Sequence, residues 1–151
     1  MAFSAALIMG ELMVMVLERG DLDGLRLVQA GRPDVWLVYH GVRHRIPSPA
    51  VYDALFSNAE GLIEYAPVDE VRLGEEVHEG TCLVQADNGL AIYLLTSAIT
   101  AGPRLHHIAT YDSFMHFGFD QSKVRKVPDL MLNAMPRGAD LVSAADRAAR
   151  R

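Results

Sequence analysis

A seven-residue stretch, Gly24-Leu25-Arg26-Leu27-Val28-Gln29-Ala30, recurs as Gly80-Thr81-Cys82-Leu83-Val84-Gln85-Ala86. It returns in looser form as Gly138-Ala139-Asp140-Leu141-Val142-Ser143-Ala144. The starts lie 56 and 58 residues apart. Self-similarity at such a period signals tandem units. The spacing predicts two units of one design, residues 24–79 and 80–137, followed by the opening strand of a third. Units of this size cannot bury both faces of a sheet alone, so two must share a core. The expected fold is α+β and strand-dominated: two tandem strand–hairpin–short-helix repeats in one domain, with pseudo-twofold symmetry.

Each unit follows one script. In the first, Leu25 to Ala30 is a strand, Gly31 to Asp34 a turn, and Val35 to Tyr39 has strong strand propensity. His40-Gly41 turns the chain, and Val42 to Ile46 returns as the second arm of a hairpin. Ser48 is placed to cap a helix from Ala50 to Phe56, with Pro49 at its first position and Val51 and Leu55 facing the core. Leu62 to Tyr65 is extended. Pro67 opens a second turn or short helix with Val68, Val71 and Leu73.

In the second unit, Leu83 to Ala86 is the strand and Asp87-Asn88-Gly89 the turn. Ala91 to Leu95 stands where Val35 to Tyr39 stood. A longer loop, Thr96 to Pro103, replaces His40-Gly41. Leu105 to Ala109 returns, and Tyr111 to Gly118 is the helix, with Thr110 and Asp112 as candidate caps and Gly118 as its stop. Val124 to Val127 is extended, and Pro128-Asp129 opens a turn carrying Leu130, Leu132 and Met135. Residues 138–151 supply the closing strand at Leu141-Val142 and a polar, frayed helical tail.

The N-terminal stretch 1–23 is largely apolar from Ala2 to Leu17, interrupted by Glu11. It lacks the basic start and cleavage site of a signal peptide and is too short and polar for a membrane span. The expectation is therefore a cytoplasmic chain; removal of a leader would instead make it secreted or envelope-associated. Leu12 to Leu17 is expected as a strand buried on both faces, with the first ten residues as an arm or short helix.

These motifs resemble a bacterial repeat module of roughly 50–60-residue units. The likeness lies in Ile92-Tyr93-Leu94, the basic arm Arg43-His44-Arg45-Ile46-Pro47-Ser48, Phe117-Gly118-Phe119 through Ser122-Lys123-Val124, and Val127-Pro128-Asp129 to Pro136-Arg137-Gly138. The first unit departs from the pattern after Phe56, where Ser57-Asn58 replaces the Gly-aromatic pair. The resemblance implies a non-catalytic tandem unit, often attached to secreted or envelope proteins, and carries over no catalytic residue, cofactor or ligand.

No catalytic signature competes with that implication. There is no Gly-x-Ser-x-Gly and no phosphate-binding glycine loop. The single Cys82 excludes an intrachain disulfide and a cysteine-based zinc site, and its expected role is a small buried hydrophobe. His44 and His106 occupy equivalent repeat positions, but their spacing fits no zinc signature. No metal or cofactor is expected; semi-exposed hairpin histidines are.

Seven acids lie between Glu60 and Glu79, opposed locally by Arg72 alone. A solvated face is the expected role. At the 56-residue offset Trp36 and Tyr93 fall at neighbouring positions, so alternation puts them on opposite faces. Core packing is expected for each aromatic, but an exposed ring beside Asp87 and Asn88 could stack on a sugar.

Residues 25–80 hold nine acids and five bases, whereas residues 81–138 hold four acids and five bases, with Lys123, Arg125 and Lys126 clustered. The net charge of −5 argues against nucleic acid as a partner. An acidic unit beside a basic one could attract copies head to tail. The leading expectation is a non-enzymatic module that associates with itself or with another protein. Candidate interface residues are Leu12, Val14, Val16, Glu75, Glu76, Lys123, Arg125 and Lys126. The alternative is a carbohydrate-binding module using Trp36, Tyr93, His44, His106, Asp87 and Asn88.

Overall fold

The structure, a computed structural model, describes the backbone of residues 3–9 and 12–150 and the side chains of residues 15–150. It is strand-dominated α+β. An N-terminal antiparallel pair, β1 (Phe3–Met9) and β2 (Leu12–Leu17), precedes two four-stranded sheets. The strand expected over Leu12 to Leu17 is present, but it is not buried on both faces as expected: Met15 is exposed and Val16 and Leu17 are half-buried. The segment expected as an arm or short helix is instead β1, which pairs along β2 from Phe3↔Leu17 to Met9↔Leu12. Continuous apolar residues satisfy either geometry, and cross-strand hydrogen bonding decides for the strand.

The first sheet contains β3 (Arg26–Val28), β4 (Val35–Tyr39), β5 (Val42–Arg45) and β6 (Leu62–Glu64), in the order β5-β4-β3-β6. The second contains β7 (Cys82–Ala86), β8 (Ile92–Ala98), β9 (Gly102–His107) and β10 (Arg125–Val127), in the order β9-β8-β7-β10. In both, the last strand is parallel to its neighbour and the other pairings are antiparallel. The β8–β9 hairpin is longer than expected: its strands extend to Ala98 and from Gly102, which leaves three residues at the tip.

Each hairpin leads to a helix, α1 (Pro49–Leu55) or α2 (Tyr111–Phe117). Ser48 caps α1 by accepting the Val51 amide. Thr110, rather than Asp112, caps α2 by accepting the Ser113 amide. Gly118 ends α2 at φ 80°, which a side chain rarely adopts. The shared core takes Leu37, Ile46, Val51, Leu55 and Phe56 from the first unit. From the second it takes Leu83, Leu94, Ile108, Phe114 and Phe117. Val68 and Val71 are buried, whereas Leu73 is 60% exposed and bridges Arg43 at the sheet edge.

The register departs from the motif in one instructive way. Trp36 pairs with Leu27, and Tyr93 pairs with Val84. Strand positions therefore correspond at an offset of 57, while the opening glycines correspond at 56. A one-residue slip turns every side chain to the other face. Leu27 thus sits in an outer cluster with Trp36 and Val38, whereas Leu83, its counterpart in the motif, lies in the shared core.

The third motif copy is not a third strand. Gly138 N donates to Leu105 O and Leu141 N to His107 O, as Gly74 N donates to Arg43 O and Val77 N to Arg45 O. Residues 136–141 therefore repeat 72–77, and Leu141 makes a single bridge to Ile108. The tail expected to fray is a docked helix, α4 (Ala144–Ala149), with Asp146 buried. A further short helix, α3 (Asp129–Asn133), buries Leu132 and leaves Leu130 exposed.

Candidate interaction site

Three histidines meet where the two hairpins face each other. His44 on β5 and His106 on β9 hold equivalent registers, paired with Leu37 and Leu94. Each ring lies against a glycine: a Cβ on Gly74 would stand 2.7 Å from His44 Cε1, and one on Gly138 would stand closer still to His106. Each Nδ1 faces the following carbonyl, Glu75 O at 2.7 Å and Ala139 O at 2.8 Å. His44 is buried and stacked on Tyr39 at 3.7 Å, so it is not the semi-exposed hairpin histidine expected. Burial pushes its pKa down to about 4, and burial also lowers that of the half-buried His106.

His40, held at φ 53°, completes the group; its ring centre lies 5.4 Å from that of His106. His40 Nε2 lies 3.0 Å from Asp140 O. Backbone carbonyls and the Thr96 hydroxyl occupy these ring nitrogens, so the cluster clasps segments 74–75 and 138–140. Among the described residues, no group of three His, Cys, Asp or Glu side chains converges on a cation position.

Trp36 and Tyr93 share the outward sheet face, contrary to the opposite faces expected, because the strand offset is 57. Both are half-buried on small outer clusters. The Arg43 guanidinium lies 4.2 Å from the Trp36 ring centre, and that of Arg137 lies 4.7 Å from that of Tyr93. These cations stand where a sugar would stack. Asp87 and Asn88 are exposed, and the Asn88 amide, oriented to satisfy both groups, donates to the Asp129 carboxylate at 3.0 and 3.2 Å. Asp87 N donates to Val127 O, which places this turn beside β10.

The acidic stretch is more paired than the sequence suggested. Arg45 meets Glu76 at 2.9 Å and Asp34 at 3.1 Å, while Arg72 turns away from the run to Glu18 at 3.2 Å. The tip of the β8–β9 hairpin, at Ser97 and Ile99, forms one wall of a shallow groove over Glu75 to Glu79. Glu75 and Glu76 are exposed. Lys123 is half-buried, and Arg125 and Lys126 are exposed on β10. Cys82 is half-buried on the outer face of its sheet rather than fully enclosed.

A polar network near the C-terminus gave no signal in the sequence. Asp146 accepts from the Thr110 and Ser113 hydroxyls, which hold its carboxyl below the usual range. Ser143 caps α4, donates its amide to Ser113 Oγ, and lies 2.8 Å from His116 Nδ1. Arg147 reaches Asp23, a buried carboxyl that also accepts the Gly41 amide. Burial raises the Asp23 pKa. A cleft of about 670 Å³ lies over these groups. Its buried polar side chains are already engaged: Ser143 accepts a backbone amide and Asp23 is paired. Spacings of 30 and 124 residues, Ser113 to Ser143 and Asp23 to Arg147, follow no local pattern.

The N-terminal ribbon is fastened at its C-terminal end. Leu17 bridges Val71, and the Arg72 amide donates to Leu17 O. Neither strand contains a charged residue. Met15 is 38% exposed, and Val16 is half-buried. The side chains of Leu12 and Val14 lie outside the described residues. Among the described residues, no helix is long and apolar enough to cross a membrane.

No family model, curated protein or solved structure matches the chain.

Proposed function

We propose that the protein is a non-catalytic module that works by self-association through its N-terminal ribbon. The observation that carries this reading is that β1 and β2 contain no charged residue and are fastened to the body at one end. A two-stranded ribbon is marginal in water by itself. Alternation gives this one no charged face, whichever way it turns. A second copy supplies a matching cover, because a twofold pairing of like ribbons buries the same apolar residues on both sides. The resemblance to bacterial tandem modules supports the same class of function. The saccharide alternative loses its main support, since Arg43 and Arg137 already lie over the rings a sugar would use.

The test is molar mass by light scattering over a range of protein concentrations. Wild type is expected to be oligomeric, and the double variant Leu12→Lys, Val14→Lys monomeric with unchanged near-UV dichroism. A monomeric wild type, or a variant that keeps its mass, would overturn the reading.

A further inference from the structure

The two sheets end in equivalent outer strands of opposite charge. β6 closes the first sheet and β10 the second; each lies parallel to its neighbour, and each is the last strand in its sheet. β6 and the turn before it carry exposed Glu64 and Glu60. β10 carries exposed Arg125 and Lys126. None of these four side chains has an ion-pair partner among the described residues. Of the other acids nearby, Glu76 meets Arg45 and Glu18, just before the first unit, meets Arg72, while exposed Asp53, Glu70, Glu75 and Glu79 have no ion pair among the described residues.

An outer strand presents unpaired backbone groups and invites another strand. Charges along it decide which strand is accepted. Two β6 edges would set acid against acid, and two β10 edges would set base against base. Only the unlike pairing places Glu60 and Glu64 near Arg125 and Lys126. Repulsion between like edges thus selects the partner as much as attraction between unlike ones does.

We infer that β6 of one copy adds to β10 of a second copy, joining copies head to tail. This contact rests on the self-association proposed above but uses a different surface from the ribbon. It is heterologous, so it produces a ring if the rotation closes and a filament if it does not. Three-residue strands bury little area, which makes this the weaker and more salt-sensitive contact.

The test is a charge-swap experiment on the full chain at low salt. One variant carries Glu60→Lys and Glu64→Lys, the other Arg125→Glu and Lys126→Glu. Each alone presents two edges of the same sign and is expected to lose the higher-mass species, with about a tenfold or greater weakening of association. An equimolar mixture restores complementary edges and is expected to recover the lost mass. The neutral pairs Glu60→Gln, Glu64→Gln and Arg125→Gln, Lys126→Gln serve if a reversed variant fails to show the wild-type dichroism spectrum. They are expected to weaken association less, and their mixture restores one native contact, between the unaltered β10 edge of the first and the unaltered β6 edge of the second, and so recovers part of the lost mass. Variants that associate like wild type, or a mixture that recovers no mass, overturn the edge contact and leave the ribbon standing. A wild type that is monomeric at every salt and concentration overturns both.

Discussion

Arg26 and Leu83 occupy the same place in the two sheets, yet one is a cation and the other an apolar side chain. Leu83 packs in the shared core. Arg26 is buried at the matching position and donates to the Tyr52 hydroxyl and to the carbonyls of Asn58 and Glu60, with its guanidinium 4.5 Å from the Phe56 ring centre. The first unit departs from the second right after α1, at Ser57-Asn58. Arg26 is the side chain that ties this altered loop to the sheet. Repetition fixes the strand order, while a local change of loop is met by a buried cation with acceptors built around it.

The largest expected effect comes from moving the cation across the repeat. Leu83→Arg would place a charge among Leu94 and Phe114 without such acceptors. It should cost about 4 kcal/mol or more, whereas Arg26→Leu should cost about 1–3 kcal/mol. Urea unfolding followed by Trp36 fluorescence measures both, and equal costs would break the comparison.

The paired histidines sharpen it. The folded-state pKa of His44 is depressed from 6.5 to about 4, so the unfolded chain takes up its proton first. Stability from this group is full above pH 6.5 and is lost as pH falls through about 4. The loss amounts to roughly 3 kcal/mol. His106, half-buried and shifted the same way by burial, acts in the same direction as pH falls below 6.5. Urea midpoints taken across this range should show the decline in wild type and a flatter profile in His44→Gln.

The glycines behind those rings come next. Gly74→Ala would press on a ring already stacked against Tyr39 and should cost about 2–3 kcal/mol; Gly138→Ala presses on the half-buried His106, which can swing away, and should cost less, about 1–2 kcal/mol. Thermal unfolding of the two variants tests the order.

The helix caps give the smallest difference. Ser48→Ala removes one cap and should cost about 1 kcal/mol. Thr110→Ala also removes a donor to Asp146, so it should cost more, up to about 2 kcal/mol. A larger loss for Ser48→Ala would contradict the buried network as the anchor of α4.

Local chemistry made most elements legible before the structure. The hairpins, the Ser48 cap with Pro49 behind it, the Gly118 stop and the shared core all follow from spacing and propensity. What misled was the assumption that motif and register run in step. Gly24 and Gly80 align at 56 and the strands at 57, which reversed the expected faces of Trp36 and Tyr93. The third motif copy misled for a similar reason: Gly138 matches Gly74, which stands beside a histidine rather than before a strand. The Asp146 and Asp23 contacts join residues distant in sequence. Only packing brings them together.

The most direct measurement is the molar mass of the wild-type chain by light scattering at low and at high salt. Apolar contacts survive screening, while contacts between exposed charges weaken. Assembly through the ribbon with edge contacts added predicts an oligomer at high salt and a larger species at low salt. A monomer under both conditions would contradict self-association as the function of this fold.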